Sequence, residues 1–122
     1  MKALARDLTD ILSVVPDMEA LAALEWRTFG TGVKLGKLGR EGQASLVLYW
    51  VEEGAPRDAF ARHRHPGGEA YLVLKGRIAD ETGSYAAGTF VWLPEESTHT
   101  PWAEGETIVL VLWPGGVKIE EG

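Results

Sequence analysis

The amino-acid sequence predicts one all-β domain, a sandwich or barrel, preceded by a short helical arm. Short runs of branched and aromatic residues follow one another from Ser45 onward, and turn-forming sequences separate them. Short strands joined by tight turns, with no helical pattern between them, are typical of sandwiches and barrels. The 122 residues are enough for one compact domain and too few for two ordinary ones.

The helical arm is predicted over residues 1–25, and the all-β domain over residues 26–122. Five apolar residues of the arm recur at helical spacing before Pro16: Leu4, Leu8, Ile11, Leu12 and Val15. Asp17 is placed to cap a second short helix that ends near Leu24. Such an arm either packs on its own domain or contacts a second copy of the chain, and the pattern favours neither.

The β-strands are predicted from branched and aromatic runs bounded by turn signals. The runs occupy residues 46–51, 71–76, 89–93 and 107–113. Several runs are apolar on both faces, as expected for strands buried between two sheets or facing an apolar cavity. Large aromatic residues either line such a cavity or pack in the core: Trp50, Phe90, Trp92, Trp102 and Trp113.

Composition excludes several classes of protein. The net charge of −6 argues against a nucleic-acid-binding surface and against electrostatic docking to anionic lipid. The sequence has no cysteine, which excludes disulfides, thiolate nucleophiles and sulfur metal ligands. Arg6, Asp7 and Asp10 interrupt the first residues, so no signal peptide is predicted, and no apolar run is long enough to span a membrane. We therefore expect a cytoplasmic protein.

Two of the three histidines lie two residues apart, at His63 and His65. Residues i and i+2 of a β-strand point to the same face, so a strand here aims both imidazoles at one point. The following Pro-Gly-Gly sequence reverses the chain. Glu69 then enters the next strand close enough to direct its carboxylate at the same place. Tyr71 and Val73 share the face of Glu69 and are predicted to line the wall of this site.

The third histidine, His99, completes a candidate metal site. It follows a strand predicted from Gly88 to Pro94 and a turn at residues 95–98, and it is expected to open the next strand. Three neutral imidazoles and one carboxylate suit Zn, Fe, Mn, Co, Ni or Cu. A lone histidine is more often a core or surface residue than a ligand, but the joint spacing favours metal binding over chance.

These residues resemble the motifs of the cupin superfamily. Its first motif ends H-x-H-x3–4-E-x6-G, and the corresponding residues here are His63, His65, Glu69 and Gly76. Its second motif is G-x5-P-x-G-x2-H-x3-N, which Gly88, Pro94 and His99 match. Glu96 replaces the second glycine and Ala103 the asparagine, and the glycine usually found before the first histidine is best matched by Gly54, three residues displaced. The departures put loop geometry in doubt and leave the four ligand positions intact.

Residues 26–113 also resemble the cupin-like domain of ChrR-type zinc anti-sigma factors. The likeness rests on HRHPGGE, YLVLKG, IADETGSYAAGTF and the closing P-x4-H. The separate helical anti-sigma domain of such proteins carries its own histidine- and cysteine-based zinc site. This chain has no cysteine and few residues before the cupin, so we expect the cupin module standing alone.

The resemblance implies a double-stranded β-helix, or jelly-roll cupin barrel, holding one divalent metal beneath a small-molecule pocket. Zn is the first choice, with Fe, Mn or Ni as alternatives. One hypothesis is a ChrR-like sensor or binding module, since four protein ligands can close the coordination shell of zinc. The alternative is a metal-dependent dioxygenase or isomerase acting on a small polar substrate, and a metal-free interaction domain is the third. We expect a homodimer with a small-molecule ligand or substrate.

Overall fold

The computed structural model of the chain describes residues 18–60 and 62–119. Within these ranges the chain forms one short helix and ten strands. In chain order they are α1 (Met18–Ala22), β1 (Trp26–Gly30), β2 (Val33–Glu41), β3 (Ala44–Val51), β4 (His63–His65), β5 (Glu69–Asp80), β6 (Gly83–Ala86), β7 (Phe90–Leu93), β8 (Ser97–His99), β9 (Trp102–Trp113) and β10 (Lys118–Ile119). The helix predicted over residues 4–15, and Asp17, lie outside the described residues. Helix α1 corresponds to the second of the two short helices that the sequence predicts.

The strands form two antiparallel sheets. The seven-stranded sheet runs β1-β2-β3-β9-β5-β6, with β7 also paired to β5, and the three-stranded sheet runs β10-β4-β8. Strands β5 and β9, each of 12 residues, pair along most of their length at the centre of the larger sheet. The predicted all-β fold is therefore confirmed. No helix of the described ranges is long and apolar enough to cross a membrane.

Each of the four predicted runs falls within or overlaps an observed strand, and three of those strands are longer than the runs. The sequence analysis missed β1, β2, β6 and β10. In β2, exposed charged residues and glycines interrupt the apolar residues, and Gly36 lies beneath the ring of Trp26. A Cβ at Gly36 would stand 2.9 Å from that ring, so the apolar residue expected in a strand has no room there.

The core lies on both faces of the larger sheet. On the inner face, Tyr71, Val73, Val109 and Val111 belong to one buried cluster that shares its side of the sheet with Glu69. On the outer face, Leu21 of α1 is fully buried against Leu48 and Ile108, a burial that contributes about 1.5–3 kcal/mol for one such side chain. Strand β9 is therefore apolar on both faces because its outer face packs in a second core beneath α1.

Candidate metal centre

The three histidines and Glu69 converge between the two sheets. His63 and His65 point to the same side of β4, as predicted, and Glu69 is the first residue of β5. Antiparallel pairing of β4 with β8 sets His99 directly opposite His63. The prediction that His99 opens a strand is wrong, because it is the last residue of β8. Strand β8 starts one turn after Pro94 and is therefore already paired with β4 when it reaches His99.

The turn between β4 and β5 is tight enough to require its glycines. Gly68 has a φ of 84° and donates its N–H to the carbonyl of His65 at 3.1 Å. At Gly67, an added Cβ would lie 2.5 Å from the backbone nitrogen of Gly115. These two positions let the chain reverse within three residues, so that Glu69 returns to the side on which the histidines lie.

The ligand atoms are close enough to share one ion. One nitrogen or oxygen from each of the four residues lies within 4.8 Å of all the others. The Nε2 atoms of His63 and His99 are 2.8 Å apart, and Nε2 of His65 is 3.1 Å from a carboxylate oxygen of Glu69. Bonds of 2.0–2.1 Å to a tetrahedral metal place ligand atoms roughly 3.3 Å apart. The cluster therefore has the dimensions of a metal site before any ion is added.

Burial and hydrogen bonding also fit a metal. All four residues are at most 4% exposed. Nε2 of His65 is buried and, although it lies 3.1 Å from the Glu69 carboxylate, it makes no well-aligned hydrogen bond within the described ranges. A buried polar atom is costly to leave unpaired. An ion bound at the centre of the cluster would satisfy that nitrogen. The residues present thus fit a divalent metal ion on the geometry of their own atoms.

Two neighbouring side chains orient the imidazoles through their other nitrogens. Nδ1 of His99 lies 2.7 Å from Oδ2 of Asp80, and Nδ1 of His65 lies 2.9 Å from Oγ of Ser97. An Nδ1–H that donates to a carboxylate leaves Nε2 with its lone pair free for a metal. Sequence reasoning missed both residues. Neither residue carries a local sequence signal, because the β4–β8 register sets Ser97 opposite His65 and the packing of β5 brings Asp80 to His99.

Glu69 is held in its ionised form. Burial alone would raise its pKa, but the contact with His65, the charges of His65 and His99 and the hydrogen bond donated by Nε1 of Trp113 together lower the pKa below its ordinary value. Only the ionised carboxylate can serve as a metal ligand. The indole of Trp113 therefore both fills the inner core and supports the ligand.

The space beside the cluster is small. Its lining includes Tyr49, Tyr71 and Pro101 with three ligand residues, and its volume is about 10 Å³, which is the room that one water molecule needs. Tyr71 lines this space, as predicted, while Val73 is buried in the adjoining core. The hydroxyl of Tyr49 is buried in the same wall and has no hydrogen-bond partner among the residues that the structure describes. Burial, reinforced by the charge of Glu69, raises the pKa of Tyr49.

The aromatic residues divide between core and surface. Trp113 packs in the inner core, and Trp50 contacts the outer one. Phe90 and Trp92 instead point away from the protein and are 65% and 67% exposed. Trp102 stacks beneath the guanidinium of Arg57, 4.1 Å from the ring centre. Of these aromatic residues, Trp113 alone donates a hydrogen bond to one of the four ligand residues.

The second motif departs from the cupin pattern at Glu96, whose backbone conformation is strained. Glu96 is the one non-glycine residue of the described ranges with a positive φ, at 65°. Glycine adopts this conformation without steric cost, which explains the glycine of the family pattern. The turn keeps its place because Glu96 donates its backbone N–H to His65 at 2.8 Å and its carboxylate pairs with Arg64.

Comparisons with known proteins agree with this fold. Residues 16–117 match the model of the family described as the ChrR cupin-like domain. The chain is 39% identical over 84 residues to the anti-sigma-E factor ChrR of Cereibacter sphaeroides. The aligned segment covers 69% of this chain and 38% of that protein. This chain thus spans little more than a third of the length of that curated relative.

Solved structures show the same fold. A crystal structure of Rhodobacter sphaeroides SigE in complex with the anti-sigma ChrR matches 88% of this chain and 61% of the other, with a TM-score of 0.65 and 32% identity. An acetylacetone dioxygenase from Acinetobacter johnsonii matches 99% of this chain and 82% of its own, with a TM-score of 0.72 and 15% identity. The second likeness shows the fold alone. The family model and the 39% identical relative together establish that this chain belongs to the ChrR cupin-like domain family.

Proposed function

We propose that this domain holds one divalent transition metal through His63, His65, Glu69 and His99 and works as a sensing or binding module. The observation that carries the proposal is the convergence of four buried ligand atoms within 4.8 Å of one another. Such a site binds metal without the large rearrangement that scattered ligands would need.

Zinc is the proposed metal. Three imidazoles and a carboxylate supply four protein ligands, a number that closes the tetrahedral shell of zinc and is typical of structural sites. The cavity of about 10 Å³ beside the cluster supports the same choice, because a catalytic site needs space for a substrate at the metal. When bound, the ion supplies a fixed positive charge that holds the two sheets together at this point.

The alternative is a metal-dependent dioxygenase or isomerase. The dioxygenase of the same fold supports it only at the level of architecture. Iron loading followed by oxygen-uptake measurements with diketones, phenols and thiols tests this alternative. Turnover that His99→Ala abolishes would favour the enzyme over the sensing module.

The first experiment is elemental analysis of protein purified without added metal, compared with two variants. We expect about one equivalent of zinc per chain. His99→Ala removes one ligand and should lower the metal content sharply, whereas Thr100→Ala, at the next position, should leave it unchanged. Less than a tenth of an equivalent of any transition metal in folded wild-type protein would overturn the proposal and favour a metal-free interaction domain.

Protein partners belong to the same proposal. One structural relative is the anti-sigma ChrR in complex with SigE, so we extend the proposal to a protein partner for this domain.

The proposal also includes a homodimer and a cytoplasmic location, as the sequence analysis predicts. Phe90 and Trp92 support the homodimer, because both are exposed on β7, which pairs with β5 alone among the described strands. Sedimentation of wild type and Trp92→Lys tests it: a dimer that the substitution dissociates is expected, and a monomeric wild type would refute it.

A further inference from the structure

A second pocket is lined by residues of β2, β3 and β9. Its volume is about 350 Å³, within the range of small-ligand sites. Leu35, Val47 and Trp113 form an apolar floor. Lys37 and Arg40 stand at the rim, and none of the residues that line the pocket is acidic.

A β-bulge brings the two cations to the same side. The register of β2 against β3 shifts between Lys37 and Gly39, so that Lys37 lies opposite Val47 and Arg40 lies opposite Ser45. Positions three apart would otherwise point to opposite faces of a strand. Ser45 and Val47 are two apart and share the inner face. The bulge therefore directs both positive side chains over the floor of the pocket.

Neither cation is neutralised within the described ranges. Four other basic side chains of the described ranges pair with carboxylates, including Lys34 with Glu52 and Lys75 with Glu106. No described carboxylate lies within ion-pair distance of Lys37 or Arg40, and Arg40 donates from Nε to the carbonyl of Gly42 at 3.1 Å. The terminal nitrogens of Arg40 remain available for a carboxylate, which a guanidinium can bind through two parallel hydrogen bonds.

We propose that this pocket binds a small organic anion with an apolar body, its carboxylate between Lys37 and Arg40 and its hydrocarbon portion on Trp113. The apolar floor selects for the body, and the paired cations select for the charge. The ring of Trp113 also connects the pocket to the metal site, because its Nε1–H donates to Glu69. The pocket residues are not metal ligands, so failure of this proposal leaves the metal site unaffected.

The test is a calorimetric titration of the full chain with sodium octanoate. We expect saturable binding of one octanoate per chain with a Kd below about 1 mM. Octylammonium, with the same tail and opposite charge, and acetate, with the same charge and no tail, should each bind at least about tenfold more weakly. The indole N–H resonance of Trp113 should shift on addition of octanoate, while that of the exposed Trp92 should not.

Three charge-removing variants locate the site. Lys37→Gln and Arg40→Gln should each weaken octanoate binding at least about fivefold, whereas Lys118→Gln on β10 removes an exposed cation elsewhere and should change it less than twofold. All three positions are exposed, so each variant should fold, and a thermal unfolding curve of each variant checks this. The proposal is overturned by any of three results: no saturable octanoate binding to wild type, equal binding of octylammonium, or equal weakening by Lys118→Gln.

Discussion

Asp80→Asn is expected to weaken metal binding although Asp80 is not itself a ligand. Oδ1 of Asp80 accepts from the backbone N–H of Thr82 at 2.7 Å, and Oδ2 faces Nδ1 of His99 at 2.7 Å. Asparagine keeps the oxygen that Thr82 requires and turns its amide N–H2 toward His99. Two donors would then face each other, unless His99 moves its proton to Nε2 and loses the lone pair that binds metal.

The magnitude follows from the burial of this pair. Asp80 is 5% exposed and His99 is 4% exposed, so water cannot take over the lost hydrogen bond at either side chain. Loss of such an orienting partner costs about 10- to 100-fold in metal affinity, which equals about 1.4–2.7 kcal/mol at 1.36 kcal/mol per tenfold.

The assay is competition for zinc against a chromophoric chelator, with Asp58→Asn as the matched control. Asp58 is an exposed carboxylate that contacts none of the four ligand residues. Urea unfolding of both variants in chelator separates metal affinity from the stability of the metal-free protein. An affinity loss below twofold in Asp80→Asn, or an equal loss in Asp58→Asn, would refute the orienting role.

Four further substitutions test stability, each measured by denaturant unfolding in chelator. Glu96→Gly relieves a φ of 65° and should stabilise the fold by about 1 kcal/mol, since the exposed ion pair that it loses contributes little; a loss of stability would contradict the strain. Gly76→Ala places a Cβ 2.3 Å from the carbonyl oxygen of Glu106 and should cost at least about 3 kcal/mol. Gly88→Ala, with a similar φ but nothing within 4 Å of the Cβ, should cost only about 1 kcal/mol, and equal losses would argue against the clash. Tyr49→Phe removes a buried hydroxyl without a partner and should be neutral or stabilising by about 1 kcal/mol, whereas a clear destabilisation would show that the hydroxyl is bonded.

The structure explains why the first motif ends with a glycine, at Gly76. The spacing from Glu69 to Gly76 matched the cupin pattern, but the pattern does not say why glycine stands there. The structure supplies two reasons: a φ of 79° and the close approach of the β9 backbone. The second motif shows the opposite case, because Glu96 occupies its glycine position and adopts a strained backbone conformation there.

The sequence alone determined the local half of the metal site. Residues two apart on a strand share a face, so His63 and His65 had to point together, and the Pro-Gly-Gly turn had to return the chain near them. These inferences need only the geometry of a few consecutive residues. The β-character of the chain was equally readable, because apolar strands and turn residues differ in composition.

Tertiary structure alone decided what lies far apart in the chain. The register of β4 against β8 placed His99 opposite His63, packing of β5 brought Asp80 to the far side of that imidazole, and a bulge in β2 turned Arg40 over the inner face. Strand pairing, bulges and cavity volume depend on contacts between distant segments, and the periodicity of one segment carries no record of them. The sequence therefore identified which residues could bind a metal, and the fold decided what surrounds them and how little space remains beside them.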